Sequence, residues 1–167
     1  KAIMCVHYAG NPVELDELRV VAKKYNLRII EDAAHAMASE YKGRPIGSIG
    51  DLITFSFQCV KIVTCGDGGA ITTTDKNLYN KIKKLTWYGI DRDAKTMSII
   101  DPHPQTLDML GFKSNMNDII ATLGCTAMDY LDIALKRRIE IGERYRFELG
   151  NLSKVKLIDY KDYWKPN

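Results

Sequence analysis

The first 32 residues alternate between strand-like and helix-like segments, and this alternation constrains the fold more than any other feature. The apolar runs AIMCV and LRIIED flank a segment whose apolar residues recur at helical spacing. Asn11-Pro12 followed by Glu14 predicts the start of that helix, with a capping side chain and a proline in the first turn. A strand, a helix and a strand within about thirty residues indicate a parallel crossover. The sequence therefore predicts an α/β fold with a mostly parallel sheet flanked by helices.

Further elements follow along the chain. LITFSF and GAITTT predict a third and a fourth strand, and Asp75 precedes another amphipathic helix. A long helix is predicted at about 117–149, because Asn117 is a favourable cap and Gly150 a favourable stop. Each of the three predicted helices thus has a recognisable start residue in the sequence, and the long helix also has a stop residue.

The organisation of the chain into domains is predicted from its last part. VKLID predicts a new strand, so we assign residues 1–150 to a large domain and residues 151–167 to the start of a C-terminal small domain. Residues 89–111 are irregular, and a loop of that length is often functional. The chain begins inside a strand-like run without an initiator methionine and ends just after another run. We therefore expect a large domain that is incomplete at both ends.

Composition and charge exclude several classes of protein. Hydrophobic residues make up 46% of the 167 residues and charged residues 27%, as in globular domains. A net charge of +3 is too weak to indicate nucleic-acid binding, and we interpret Lys136-Arg137-Arg138 as the solvated face of a helix. The four cysteines form neither a CxxC pair nor a zinc spacing, which predicts no metal site and favours a reducing, cytoplasmic setting. No apolar run is long enough to cross a bilayer.

A glycine-bordered loop between the third and fourth strands, FSFQCVKIVTCGDGGAITTT, carries one lysine, Lys61. On local grounds Lys61 is either a solvated charge or an amine made nucleophilic by partial desolvation. Ser56 lies five residues earlier, where its hydroxyl could donate to a phosphate. Asp32 follows the second strand and is either a helix cap or an anionic partner for a protonated ring nitrogen, while His35 is either structural or near the same ligand. Because ligands bind at the carboxyl ends of parallel strands, these residues could face one crevice.

The order and spacing of these motifs resemble the DegT/DnrJ/EryC1/StrS family of sugar aminotransferases, a branch of the fold-type I pyridoxal-phosphate enzymes. The chain has EDAAH, then YKG with GSIGD, then FSF, a lysine five residues past the serine, and GDGG. VHYAG upstream, with GFKSNMND and RRIEIGERY downstream, extends the resemblance over essentially the whole chain. Asp67 replaces the family's usual glutamate, and Gln58, Ile62 and Tyr88 also depart from its common pattern, which leaves the sugar undefined.

The resemblance implies a role for each candidate residue. Lys61 matches the lysine that forms the internal aldimine with pyridoxal 5'-phosphate and later moves protons. Asp32 matches the aspartate that pairs with the pyridine nitrogen, and Ser56 matches a serine that holds the cofactor phosphate. His35 matches a position close to the cofactor ring. Asn115 matches an asparagine that crosses a homodimer interface towards the phosphate of the neighbouring cofactor.

The activity implied by the resemblance is transfer of an amino group from glutamate to a nucleotide-linked keto-deoxy-sugar. A related branch, the sugar 3-dehydratases, has histidine in place of Lys61, so the lysine favours amino transfer. The alternative is a non-catalytic or regulatory relative that binds the cofactor without turnover. A Rossmann-like domain is disfavoured because GDGGA lacks GxGxxG and precedes a strand, and a thiol enzyme using Cys59 or Cys65 lacks a triad spacing. Because family members are much longer, we expect the fragment alone to be inactive.

Overall fold

A computed structural model describes residues 1–93, 107, 109–158 and 160–165. A short 3-10 turn at Tyr8–Gly10 follows the first strand. The strands and α-helices of the described residues are, in chain order, β1 (Ala2–Val6), α1 (Leu15–Tyr25), β2 (Arg28–Asp32), β3 (Glu40–Tyr41), β4 (Arg44–Pro45), β5 (Leu52–Ser56), β6 (Gly69–Thr72), α2 (Lys76–Leu85), α3 (Asp118–Asp129), α4 (Leu131–Leu149) and β7 (Trp164–Lys165).

The principal sheet has four strands in the order β1-β2-β5-β6. β1 runs parallel to β2, and β2 runs parallel to β5 with Asp32 opposite Thr54. β6 is antiparallel to β5 and places Gly69 opposite Ser56. The last pair is antiparallel because the connection at residues 57–68 contains no helix to carry the chain back across the sheet. The prediction of a mostly parallel sheet flanked by helices is confirmed.

A second, small sheet has the order β4-β3-β7, and all its pairs are antiparallel. Tyr41 of β3 pairs with Arg44 of β4 on one side and with Trp164 of β7 on the other. The prediction of a strand at VKLID is wrong, because residues 155–158 find no partner strand among the described residues. β7 instead returns the end of the described chain to β3, and the domain boundary after residue 150 stays a prediction.

The start of α1 also differs from the prediction. The helix begins at Leu15 and not in the turn that contains Pro12. Asn11 does not cap it, because its side-chain amide donates to the carbonyls of Tyr8 and Ala9, at 3.3 and 3.5 Å. The capping side chain that the sequence suggested is therefore used to close the preceding 3-10 turn.

The starts of α2 and α3 are confirmed by their caps, since Asp75 and Asn117 each accept backbone N–H bonds through a side-chain oxygen. The long helix predicted at 117–149 is divided in two. Tyr130, with φ −101° and ψ 2°, separates α3 from α4. Neither proline nor glycine stands at this position, so the usual sequence signals of a break are missing.

The predicted irregular segment at 89–111 lies largely outside the described residues. Its described ends are joined by an antiparallel bridge between Ile90 and Leu107. A Cβ atom added at Gly89 would lie 1.6 Å from the carbonyl oxygen of Met109, so the two ends of the segment are in close backbone contact.

The hydrophobic core fixes the chain that leads out of β2. Tyr41 is fully buried and donates through its hydroxyl to Glu14 Oε2 at 3.2 Å. Ala33 and Ala36 are also buried, which holds the segment after β2 tightly against the core. The core cluster consists of Leu15, Ala33, Ala36, Tyr41, Ile46 and Ile53. None of the described helices has the length and apolar character needed to cross a membrane.

Candidate active site

The carboxyl ends of β2 and β5 bring two predicted site residues to one edge of the sheet. Asp32 is the last residue of β2, and Ser56 is the last residue of β5. The two strands are parallel, and Asp32 lies opposite Thr54. Thr54 is two residues before Ser56, so Asp32 and Ser56 are at the same end of the sheet. In open parallel sheets ligands bind at this edge.

A cavity of about 240 Å³ borders this edge. It contains three of the five predicted site residues, namely His35, Ser56 and Lys61. Arg138 of α4 also lines it, and the basic cluster Lys136-Arg137-Arg138 is exposed, as predicted for a solvated helix face. The other lining residues are small or apolar: Ala9, Ala34, Met37, Val60 and Ile62. The volume is just below the range of about 300–1,000 Å³ that is common for small-molecule pockets.

The Lys61 loop, defined as residues 57–68, is anchored at both ends. The Phe57 N–H donates to the Gly68 carbonyl at 2.8 Å, and the Cys65 N–H donates to the Phe57 carbonyl at 3.0 Å. Val63 and Cys65 are buried, with 1% and 4% of their surface exposed. Because backbone hydrogen bonds and buried side chains act at the same points, the loop leaves and rejoins the sheet in a defined geometry.

A turn within the loop sets the position of Lys61. The Lys61 N–H donates to the Gln58 carbonyl at 2.9 Å. The Gln58 side-chain oxygen in turn accepts the Val60 N–H at 3.1 Å. Lys61 as a whole residue is half-buried. The choice between a solvated charge and a nucleophilic amine at this position stays a prediction.

Gly68, the last residue of the loop, and Gly69, the first residue of β6, permit close packing. A Cβ atom at Gly69 would lie 2.6 Å from the Phe55 carbonyl oxygen. At Gly68 it would lie 2.7 Å from Cys65 Sγ and 2.8 Å from Met116 Cε. The GDGG turn is thus explained by contacts within the chain.

Ser56 and Asp32 each keep a polar group available at this edge. Ser56 Oγ accepts the Gln58 N–H at 3.3 Å, and its hydroxyl hydrogen has no protein acceptor among the described residues. Asp32 Oδ1 accepts the Ala34 N–H at 2.9 Å, which leaves Oδ2 without a donor in that same part of the chain. The Asp32 side chain is half-buried and does not line the cavity, but Ala34, two residues later, does.

His35 is exposed on the cavity wall. Its Nδ1 accepts the Ala9 N–H at 3.3 Å, so in the neutral ring the hydrogen is on Nε2. The Tyr8 ring lies beside it, with 5.7 Å between ring centroids and an angle of 59° between ring planes. These two contacts fix the plane of the imidazole at the edge of the cavity.

Asn115 is not part of this cavity. It lines a separate surface depression with Phe55 and Tyr79. Its Oδ1 accepts from Lys113 Nζ at 2.6 Å, and its Nδ2 donates to the Met116 carbonyl at 3.2 Å. A residue that serves the site of a neighbouring subunit has no need to reach the cavity of its own chain, and the role of Asn115 stays a prediction.

Sequence reasoning missed a buried polar pair beside the site. His7 Nε2 lies 3.0 Å from Glu31 Oε2, and the two side chains are 0% and 1% exposed. His7 Nδ1 accepts the Val13 N–H at 3.2 Å, and the His7 backbone N–H donates to the Asp32 carbonyl at 3.0 Å. The available signal was a polar residue at the end of each apolar run, in VH and IIED. The pair joins the ends of β1 and β2 next to Asp32.

The donor set at this edge fits pyridoxal phosphate. Lys61 offers an amine for an aldehyde, and Ser56 offers a hydroxyl hydrogen for a phosphate. Asp32 offers a carboxylate oxygen for a protonated ring nitrogen, and His35 offers a flat side chain for a ring. The five-residue spacing of Ser56 and Lys61 brings both side chains to one cavity.

Metal and thiol chemistry have little support in the described residues. No group of three or more His, Cys, Asp and Glu side chains among them is placed to hold a metal ion. Burial, with a contribution from the charge of Glu31, raises the pKa of the Cys5 thiol to about 11, so it is protonated at neutral pH. Cys65, within the Lys61 loop, is buried. Cys59 is exposed, and its Sγ accepts from Gln58 Nε2 at 3.0 Å.

Comparison with known proteins identifies the family. The uncharacterized protein MJ1066 of Methanocaldococcus jannaschii is 46% identical over 153 residues, which are 91% of this chain and 40% of that protein. The crystal structure of AtS13 from Actinomadura melliaura matches with a TM-score of 0.90 at 31% identity. That of the sugar aminotransferase CalS13 from Micromonospora echinospora matches with 0.89 at 29% identity. Each structural match covers 99% of this chain and 45% of the solved chain.

These matches have two consequences for the chain. It spans less than half the length of the relatives named above. Its fold is that of the fold-type I aminotransferases, as the sequence predicted. The model of the DegT/DnrJ/EryC1/StrS aminotransferase family matches residues 1–164, and the chain belongs to this family.

Proposed function

We propose that this protein is a pyridoxal-phosphate-dependent aminotransferase that moves an amino group from glutamate to a nucleotide-linked keto-deoxy-sugar. The observation that carries the proposal is that Lys61 and Ser56 share one cavity at the carboxyl edge of the sheet, with His35 on its wall. Membership of the DegT/DnrJ/EryC1/StrS aminotransferase family supports the same activity. A lysine at position 61, rather than the histidine of the related dehydratases, favours amino transfer.

The residues at this edge have distinct parts in the proposed reaction. When bound, pyridoxal phosphate would supply an aldehyde and a ring that stabilises a neighbouring carbanion. Lys61 Nζ would hold the cofactor through this aldehyde, and as a free amine it would move a proton at the α-carbon of the amino donor. Ser56 Oγ–H would donate to the phosphate. Asp32 would keep the ring nitrogen protonated by opposite charge, where each unit of pKa corresponds to about 1.4 kcal/mol.

The assembly and setting of the protein belong to the same proposal. We expect a cytoplasmic homodimer in which Asn115 of one subunit reaches towards the cofactor phosphate of the other. Residues 1–167 alone are expected to be inactive, because the chain spans under half of the relatives named above. The full-length protein is therefore the material for every test of activity.

Borohydride trapping tests the proposal directly. The full-length protein loaded with pyridoxal phosphate is expected to show a visible absorption band that disappears on reduction. Peptide mapping is expected to place the reduced adduct on Lys61. Lys61→Arg should abolish the adduct, while Lys23→Arg, on the exposed surface of α1, should leave it intact. An adduct on another lysine, or none at all, would overturn the proposal.

A turnover assay distinguishes the catalytic reading from a non-catalytic relative. Glutamate added to the loaded protein is expected to yield 2-oxoglutarate and to remove the visible band. Keto-sugar nucleotides should then restore the band as they accept the amino group. Adduct formation on Lys61 without loss of the band in the presence of glutamate would favour the non-catalytic alternative.

A further inference from the structure

Arg138 is the one residue of α4 that lines the Lys61 cavity in the described structure. It shares this cavity with Ser56 and His35, which are distant from it in the sequence. Arg138 and the neighbouring Arg137 are both exposed, but Arg137 does not line the Lys61 cavity, and its Nη1 instead lies 3.2 Å from Glu140 Oε2. The two adjacent arginines therefore differ in their partners and not in their exposure.

The charge of the cavity wall points to an anionic ligand. Lys61 and Arg138 contribute two positive side chains, and none of the lining residues carries a carboxylate. Within the described part of the chain, Arg138 has no ion pair or hydrogen bond. An arginine binds carboxylate and phosphate groups well, since its planar fork can donate two parallel hydrogen bonds. A cationic wall without an internal counter-ion is suited to an anion that arrives with a ligand.

We propose that Arg138 binds an anionic group of a substrate in the Lys61 cavity, either the carboxylate of the amino donor or the diphosphate of the sugar nucleotide. The inference rests on the proposed aminotransferase function and adds a binding residue to it. The donor carboxylate is attached to the same carbon that loses the amino group. Arg138 lines the same cavity as Lys61, and this shared lining favours the carboxylate.

The test compares three variants of the full-length protein, namely Arg138→Ala, Arg138→Lys and Arg137→Ala. Loss of the visible band under single-turnover conditions gives the apparent Kd for glutamate. Calorimetry on cofactor-free protein gives the Kd for 2-oxoglutarate and for uridine diphosphate, independently of activity. Loss of a charge-assisted contact is expected to weaken one of these ligands about 10- to 100-fold in Arg138→Ala. The Kd of Arg138→Lys for the same ligand should lie between those of the wild type and Arg138→Ala. The Kd of Arg137→Ala should stay within about twofold of the wild-type value.

The two ligand classes give separate results. If Arg138→Ala binds glutamate and 2-oxoglutarate more weakly but uridine diphosphate as before, Arg138 binds the carboxylate of the amino donor. If only the affinity for uridine diphosphate falls, Arg138 binds the diphosphate of the sugar nucleotide. Unchanged binding of all three ligands, with the borohydride adduct on Lys61 intact, would overturn the proposal for Arg138 alone. A wild-type protein without that adduct would overturn the proposed function, while calorimetry still tests Arg138. Should circular dichroism show Arg138→Ala to be unfolded, Arg138→Gln carries the same comparison.

Discussion

Replacing His7 with alanine would remove the centre of the buried pair beside the site. The imidazole links Glu31 Oε2, at 3.0 Å, to the Val13 N–H, at 3.2 Å. Because Nδ1 accepts the Val13 N–H, the ring hydrogen is on Nε2 and donates to the Glu31 carboxylate. Glu31 Oε1 is already buried without a partner in the described structure. After the substitution, neither carboxylate oxygen of Glu31 would have a donor among the described residues.

The expected cost follows from burial. Glu31 is 1% exposed, so loss of its partner leaves a buried charged group without compensation, and such changes cost about 3–5 kcal/mol. The Val13 N–H loses its acceptor as well. Total stabilities are about 5–15 kcal/mol, so His7→Ala is expected to lower the urea midpoint severely. His35→Ala is the matched control, because His35 is exposed, and it should cost less than about 1 kcal/mol.

A double-mutant cycle separates the lost contact from the cavity left by the ring. In the His7→Ala background, Glu31→Gln removes the unpaired charge and should recover at least about 1 kcal/mol. In the wild-type background the same change should be destabilising or neutral. Urea unfolding followed by circular dichroism measures all four proteins. A cost of His7→Ala below about 1 kcal/mol, or no recovery in the double variant, would refute the reasoning.

Two further predictions concern titratable groups. Burial alone would raise the pKa of Asp51, but a hydrogen bond from the Ile29 N–H and the ion pair with Arg28, both at 2.8 Å, hold it below its ordinary value. A lowered pKa stabilises the folded state above about pH 4, and this contribution is lost as the pH falls through the folded pKa. Asp51→Asn should therefore flatten the acid limb of stability measured by urea midpoints, and an unchanged limb would contradict this assignment. Cys59, which is exposed, should react with a thiol reagent at neutral pH long before Cys5, whose thiol has a pKa raised to about 11; equal rates would contradict the burial argument.

Local patterns in the sequence account for the elements that were predicted well. The parallel crossover from β1 to β2 was recognisable because apolar periodicity depends on neighbours along the chain. Asp75 and Asn117 marked helix starts for the same reason, since a cap acts within one turn. The start of α1 was mispredicted because Asn11 had two possible uses, and the 3-10 turn took its side chain. The strand at VKLID was mispredicted because a strand needs a partner that the sequence does not name.

The candidate site was predictable where it depends on strand ends and a motif. Lys61 and Ser56 could be placed together because β5 ends at the serine and the loop begins there. Arg138 could not be placed, because its position depends on how α4 packs against a segment far away in the sequence. His7 and Glu31 could not be paired without the register of β1 against β2. These contacts join residues that are far apart in the sequence, and local sequence patterns do not predict them.

The Lys61 loop combines fixed ends with an accessible middle, and this suits the role proposed for Lys61, in which the lysine changes partners. Its ends are held by the bond between Phe57 and Gly68 and by the buried Cys65. α3 adds support from behind, since a Cβ atom at Gly124 would lie 3.6 Å from Cys65 Cβ. The middle is open, with Val60 69% exposed. A catalytic amine needs a backbone that stays in place and a stem that can swing between a ligand and a proton. The loop supplies the first through its anchors and the second through the length of the lysine side chain.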